Sequence, residues 1–141
     1  MAIKEFKGQY YFLSNYFSCM FEIDGKVFTS TEHAFHYYKT FDEEEREQIR
    51  LAPTPGLSKK RGRKCTLRED WEDVKDEIME KVCRAKFDQN AKLKSKLLRT
   101  APSNLIEGNT WGDRYWGKVK GQGKNRLGQI LMKLRDEYSK D

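Results

Sequence analysis

Trp71, Val74, Ile78, Val82 and Ala85 recur at three- and four-residue spacing, which predicts a long amphipathic helix over residues 69–90. Thr66-Leu67-Arg68-Glu69 reads as a capping box that would start it. Leu127, Ile130, Leu131 and Leu134 repeat the pattern over 125–138, and Leu93, Leu97 and Leu98 mark a shorter helix that closes before Thr100-Ala101-Pro102. A charged helical stretch over 42–51 is ended by Pro53 and Pro55. The strand signals are small: Met20-Phe21-Glu22-Ile23 and Lys26-Val27-Phe28 flank a turn at Asp24-Gly25, which predicts a hairpin, and Leu105-Ile106-Glu107 reads as a brief strand. The pattern predicts an α+β fold, mostly α-helical, with a small β-hairpin.

The 141 residues match one compact domain, 1–141, large enough for a core and a cleft. Charged residues make up 35% and mean hydropathy is −0.93, but the 13% aromatic content argues for a folded chain. The N-terminus lacks the pattern of a secretory signal, and the apolar-looking stretch 10–21 is broken by Ser14, Asn15 and Ser18, far short of the ~20 residues of a membrane span. Cys19, Cys65 and Cys83 are odd in number with no C-x-x-C spacing, which suits free thiols in a reducing compartment, the cytoplasm. His33 and His36 are the only histidines, with no cysteine spaced for zinc, so neither metal nor cofactor is implied.

Part of the net charge of +6 is concentrated in Lys59-Lys60-Arg61-Gly62-Arg63-Lys64. With two prolines and two glycines, residues 53–64 are predicted as a loop, either solvated or able to contact a phosphate or a nucleic-acid backbone.

Residues 30–41 read as a helix in which Glu32, His36 and Lys39 share a stripe, since a spacing of seven returns nearly to the same face. With Phe35, Tyr37 and Tyr38 around them, they would form one wall of a pocket for a sugar-like substrate; alternatively, Thr29-x-x-Glu32 is a capping box and Glu32 only satisfies the helix start. Asn15-Tyr16-Phe17 could hydrogen-bond and stack on a base-like group, or be an aromatic core with Asn15 in a turn. Arg68 and Trp71 sit where a helix N-terminus favours anions, though Trp71 also reads as a hydrophobic anchor. Asp113 lies among aromatics and glycines in Trp111-Gly112-Asp113-Arg114-Tyr115-Trp116-Gly117, as a desolvated acid or a plain turn residue. Gly121-Gln122-Gly123-Lys124-Asn125 could present backbone N–H groups to a phosphate at the last helix.

Taken together, Phe12-Leu13-Ser14-Asn15-Tyr16, Glu32-His33-Ala34-Phe35, Lys39, Gly62-Arg63, Leu67-Arg68-x-Asp70-Trp71, Lys86-Phe87, Leu105-Ile106-Glu107, Trp111-Gly112-Asp113-x-x-Trp116-Gly117 and Gly123-x-Asn125-x-Leu127-Gly128 resemble the NADAR family, which includes the YbiA-type N-glycosidases. The resemblance runs from about residue 6 to residue 135. It implies a compact, mostly helical domain that hydrolyses an N-glycosidic bond between ribose and a nitrogen base. The substrates implied are ribosylated pyrimidine intermediates of riboflavin synthesis or ADP-ribosylated guanine in nucleic acid.

Position by position, the resemblance makes Lys39, Glu32, Asp113 and Trp71 the catalytic candidates. Asn15, Tyr16, His36, Arg63, Arg68, Trp116 and Asn125 are the candidates to hold substrate. Lys39 would attack C1 of the ribose through a Schiff base, or act as an electrostatic clamp while water attacks directly. Two positions depart from the family pattern: Tyr16 replaces a frequent phenylalanine and His36 a frequent glutamine. An alternative of another class is a non-catalytic module that binds ADP-ribose or nucleic acid; no protein partner or membrane is implied.

Overall fold

The computed structural model describes residues 1–141, which pack as two compact units, one made of Asn15–Gln89 and one of Met1–Ser14 with Asn90–Asp141. No helix is long and apolar enough to cross a membrane.

In the unit 15–89, strands β2 (Phe21–Ile23) and β3 (Lys26–Phe28) form the predicted antiparallel hairpin, with Phe21 opposite Phe28. Asp24 and Gly25 both have positive φ, 53° and 78°, as a tight two-residue turn between twisted strands requires. The hairpin turns Phe28 inward, edge-on to Tyr37 at 5.0 Å between ring centres. Four helices follow: α1 (Thr31–Tyr37), α2 (Glu43–Arg50), α3 (Pro55–Lys64) and α4 (Trp71–Asp88), with α1 packed against the other three.

Three local expectations change. Helix α1 is capped by Ser30, whose Oγ accepts the His33 N–H at 3.1 Å, so Thr29 and Glu32 form no capping box, and the helix stops at Tyr37. Thr66 does not cap α4 either; its amide and hydroxyl donate to the Glu45 carboxylate, while Arg68 grips Asp70 through Nε and Nη2 at 2.6 and 3.0 Å, and the helix starts at Trp71.

The third change is at 53–64, which is the helix α3 and not a loop. Thr54 caps it, accepting the Leu57 N–H at 3.1 Å, and Pro55 stands in the first turn, where its missing N–H costs nothing. Its glycines oppose helix formation by about 1 kcal/mol each, but Gly62 is there for packing, since a Cβ would lie 2.6 Å from His36 Nδ1.

In the other unit, β1 (Ala2–Ile3) pairs in parallel with β4 (Asn104–Leu105), Ile3 beside Leu105. A 3-10 helix covers Gly8–Leu13, and α5 (Ala91–Arg99) packs against α6 (Arg126–Tyr138). The predicted stripe Leu127, Ile130, Leu131 and Leu134 is buried. The glycine-rich lead into α6 is no phosphate cradle: the amides of Lys124, Asn125, Arg126 and Leu127 donate to the carbonyls of Arg114, Gly117, Tyr115 and Trp116 at 2.8–3.2 Å. Of the donors at the start of α6, those of Asn125, Arg126 and Leu127 are thereby used.

Because His36 packs onto Gly62, Gly62→Ala is expected to destabilise the fold by about 1–3 kcal/mol, read as a lower urea midpoint with unchanged slope.

Candidate active site

Lys39 lies one residue beyond the C-cap of α1, its amide donating to the His36 carbonyl at 3.1 Å and its carbonyl accepting the Arg68 N–H at 2.8 Å. These bonds fix the backbone where the side chain leaves it. The ammonium nitrogen then sits 5.9 Å from the centre of Phe35 and 5.8 Å from that of Trp71, two rings that contact each other at 5.0 Å. Burial pulls the Lys39 pKa below the ordinary lysine value; nearby Cys65 and Glu32 oppose the shift, and the cations Arg63 and Lys59 reinforce it. A lysine so placed releases its proton more readily than one in water.

One helical turn back, Glu32 and His36 form a buried pair, 8% and 4% exposed, with Nε2 2.7 Å from Oε2. His36 Nδ1 is buried without a hydrogen-bond partner. A bare lone pair there is cheaper than a bare N–H, so the fitting form is neutral, with Nε2–H donating to Glu32 and Nδ1 unprotonated. Burial is also the leading cause that lowers the His36 pKa, against the opposing pull of Glu32. The carboxylate is thus held by one neutral donor.

The remaining candidates of this unit divide by what their side chains touch. Asn15 binds the start of α1: its Oδ1 accepts the Thr31 hydroxyl at 2.7 Å, its carbonyl accepts the Glu32 N–H at 3.1 Å, and Nδ2 meets Met79 Sδ at 3.6 Å. It positions the backbone at Glu32. Arg68 is likewise committed to Asp70 and stacks 4.3 Å from the centre of Phe41, on the wall of an open hollow of about 600 Å³ that also includes Thr40 and Leu67. Trp71 is 6% exposed and anchors the start of α4, forming the wall beneath the lysine. Arg63 is exposed on α3, and the Tyr16 ring is 37% exposed.

Asp113, Trp116 and Asn125 belong to the other unit. Asp113 Oδ1 accepts the amides of Tyr115 and Trp116 at 3.0 and 2.8 Å, so the turn reading applies to it, and Trp116 is half-buried edge-on to Tyr115. Asn125, in a left-handed conformation and 5% exposed, accepts the Glu107 N–H at 2.9 Å and donates to the Leu105 carbonyl at 2.9 Å. Its amide holds β4 against α6.

Sequence reasoning missed two neighbours of the lysine. Lys59 was read only as part of a basic run, because the run was placed in a loop, and a heptad-style reading of α3 would have set Lys59 and Arg63 on one face. Cys65 had no local signal. Its thiol donates to the Gly62 carbonyl at 3.2 Å, and burial pushes its pKa up.

An amine with a lowered pKa over aromatic rings, beside a carboxylate fixed by a neutral histidine, defines a helical domain equipped for nucleophilic and proton-transfer chemistry at carbon. Comparison with known proteins gives the family. The family model for the NADAR domain matches residues 3–139. N-glycosidase YbiA of Escherichia coli (strain K12) is 44% identical over 129 residues, covering 89% of this chain and 80% of that protein. Its NMR structure superposes with a TM-score of 0.87 at 40% identity, over 99% of this chain and 84% of that one. Riboflavin biosynthesis protein VVA0006 of Vibrio vulnificus is 33% identical over 129 residues, which are 89% of this chain but 35% of that longer protein. The chain belongs to the NADAR family, and it has the α+β, mostly helical fold of YbiA.

The lowered His36 pKa has a consequence for stability. Below the ordinary value near 6.5 the unfolded chain takes up a proton that the folded site resists, so stability is full above that pH and falls as the pH drops through it. Thermal melts from pH 8 to about pH 5 are expected to lose this acid-side slope in His36→Gln, which retains an N–H donor for Glu32.

Proposed function

We propose that this chain is an N-glycosidase that hydrolyses the bond between ribose and a nitrogen base, with residues 1–141 acting as one NADAR domain. The observation that carries the reading is the Lys39 amine held over Phe35 and Trp71 with its pKa lowered by burial. The name N-glycosidase on relatives that this chain covers to 80% of their length supports it. A module that only bound ribose phosphates would gain nothing from a nucleophilic amine.

The lowered pKa favours the covalent route over a clamp, because a clamp needs the charged form. Unprotonated Lys39 attacks C1 of the ribose, the C1–N bond breaks, and the base leaves with that bond's electron pair and a proton supplied by the Glu32 carboxylic acid. One N–H proton of the attached Lys39 passes to the ring oxygen, the freed nitrogen pair forms a C1=N bond as the C1–O bond breaks with its pair on oxygen, and an iminium remains. Water adds to C1, loses a proton to the carboxylate, and the amine departs, leaving the free sugar aldehyde and restored Lys39. Trp71 and Phe35 keep water from solvating the amine, and Arg63 faces the substrate phosphate.

Two substrates fit this chemistry: a ribosylaminopyrimidine phosphate of riboflavin synthesis, and ADP-ribosylated guanine in nucleic acid. The name of the Vibrio vulnificus relative favours the first. Placement in the cytoplasm belongs to the same reading and is supported by three free thiols, Cys19, Cys65 and Cys83.

With the two substrates offered separately, mass spectrometry should find base released from one of them by wild type and from neither by Lys39→Ala. The variant should melt close to wild type, because a half-buried lysine at the edge of the core leaves little apolar packing to lose. Borohydride added during turnover should trap a ribose adduct on Lys39. Turnover without any adduct would instead mean direct attack by water.

Removing a neighbouring cation gives a separate check. Lys59 and Arg63 lower the Lys39 pKa, so the Lys59→Ala, Arg63→Ala double variant is expected to raise it and to move the acid limb of the pH–rate profile to higher pH.

A further inference from the structure

The unit that holds both chain ends contains an open basin of about 460 Å³ ringed by Lys4, Lys7, Lys118 and Lys120. Backbone pairing gathers these lysines from distant parts of the sequence. The Ile106 N–H donates to the Ile3 carbonyl at 2.9 Å, which sets the first lysines beside the segment after β4. The Lys118 N–H donates to the Glu107 carbonyl, and its own carbonyl accepts the Asn109 N–H, both at 2.9 Å. Lys120 is presented on a tight turn, φ 52° with Gly121 at 79°, closed by reciprocal bonds of 2.8 and 3.0 Å between Val119 and Gln122.

One acid, Glu5, shares the rim, 3.9 Å from Lys7 with both side chains largely exposed, so most of the positive charge is uncompensated. The wider unit has the same sign: 14 of the 28 basic and 6 of the 22 acidic residues fall in it, a net charge of +8 against −2 for residues 15–89.

A second observation lies at the same rim. Trp111 is not itself a lining residue; it follows Thr110, which lines the basin, and is 59% exposed. It stands at the tip of a loop closed by buried Asn109, whose Oδ1 accepts the Asp113 N–H at 3.0 Å and whose Nδ2 donates to the Asp113 carbonyl at 2.9 Å, with Gly112 turning the chain at φ 87°. A large indole is thus held outward on a braced loop.

We propose that this face binds single-stranded nucleic acid, with a base stacked on Trp111 and successive phosphates along Lys4, Lys7, Lys118 and Lys120. Exposed aromatic rings beside a cationic groove are what unpaired strands use, because every base has a stacking face and every phosphate a charge. Four amines against one carboxylate exceed the charge of a single phosphate group, about −2, so the basin suits several phosphates in series better than a nucleoside monophosphate. The inference extends the nucleic-acid branch of the glycosidase reading but does not rest on it, since none of these lysines enters the proposed reaction and binding is measured without turnover.

The test is fluorescence anisotropy with a labelled oligothymidylate of about 15 nucleotides at about 50 and 200 mM salt. Wild type should bind, with log affinity falling against log salt by about 0.7 per phosphate engaged. Lys118→Glu with Lys120→Glu should weaken binding at least about ten-fold and flatten that slope. Trp111→Ala should weaken it about ten-fold with the slope unchanged, because stacking and not charge is lost. Lys60→Glu with Lys64→Glu, an equal charge change on exposed positions of α3, should stay within about two-fold of wild type.

Three results would overturn the proposal: no binding at the lower salt, equal losses from the two double variants, or displacement of the strand by thymidine monophosphate at equal phosphate concentration. Melting curves matching wild type would confirm that each variant is folded.

Discussion

Helix α1 is buried from Thr31 to Tyr37, polar side chains included, and the site follows from how those polar groups are satisfied. A buried donor or acceptor without a partner costs about 1–3 kcal/mol, so each fixes its neighbours. Ser30 and the Ala52 carbonyl take the two nitrogens of His33 at 2.7 and 2.9 Å, tying α1 to the end of α2. Asn15 takes Thr31, and His36 takes Glu32. The one exception, His36 Nδ1, faces the backbone of α3 where Gly62 lets the ring approach. That orphan acceptor suits a neutral imidazole, which donates to Glu32 from Nε2.

The electrostatics of Lys39 come from the same packing. The chain leaves α1 two residues before the lysine, and the Arg68 amide catches the Lys39 carbonyl, so the side chain lies over Phe35 and Trp71. The rings favour a cation by their faces but also strip water from it. Burial is the larger influence, and the cations of α3 add to it. The basic run at 59–64 therefore has a role that its composition alone does not reveal: as a helix, it aims Lys59 and Arg63 toward the amine and leaves Lys60 and Lys64 in solvent.

The other unit is organised by backbone groups more than by side-chain chemistry. The amides of residues 124–127, which lead into α6, are spent on the 114–117 carbonyls, and Asn125 and Asn109 spend their side-chain amides on neighbouring backbone. A segment rich in glycine and tryptophan, which reads as loose, is thereby braced. What it leaves exposed, Trp111 and the lysines around it, is surface that this chain does not cover.

Much of this was legible in the sequence. The stripes of α4, α5 and α6, the Asp24-Gly25 hairpin and the family motifs are local signals, because periodicity and turn chemistry act over a few residues. The same locality explains the misses. Two-residue strands such as β1 are too short to show alternation, and α3 looked like a loop because Gly62 answers to His36, a contact across 26 positions. Capping boxes were read at Thr29 and Thr66, but Ser30 and Glu45 competed for the groups involved. The sequence by itself determined which residue types are present for the chemistry and the α+β class that presents them. Only tertiary structure decided which were spent on structure, as Asn15 and Asn125 were, and how far Lys39 was desolvated. Hydrogen-bond partners and burial depend on neighbours distant in the chain, and no local pattern encodes them.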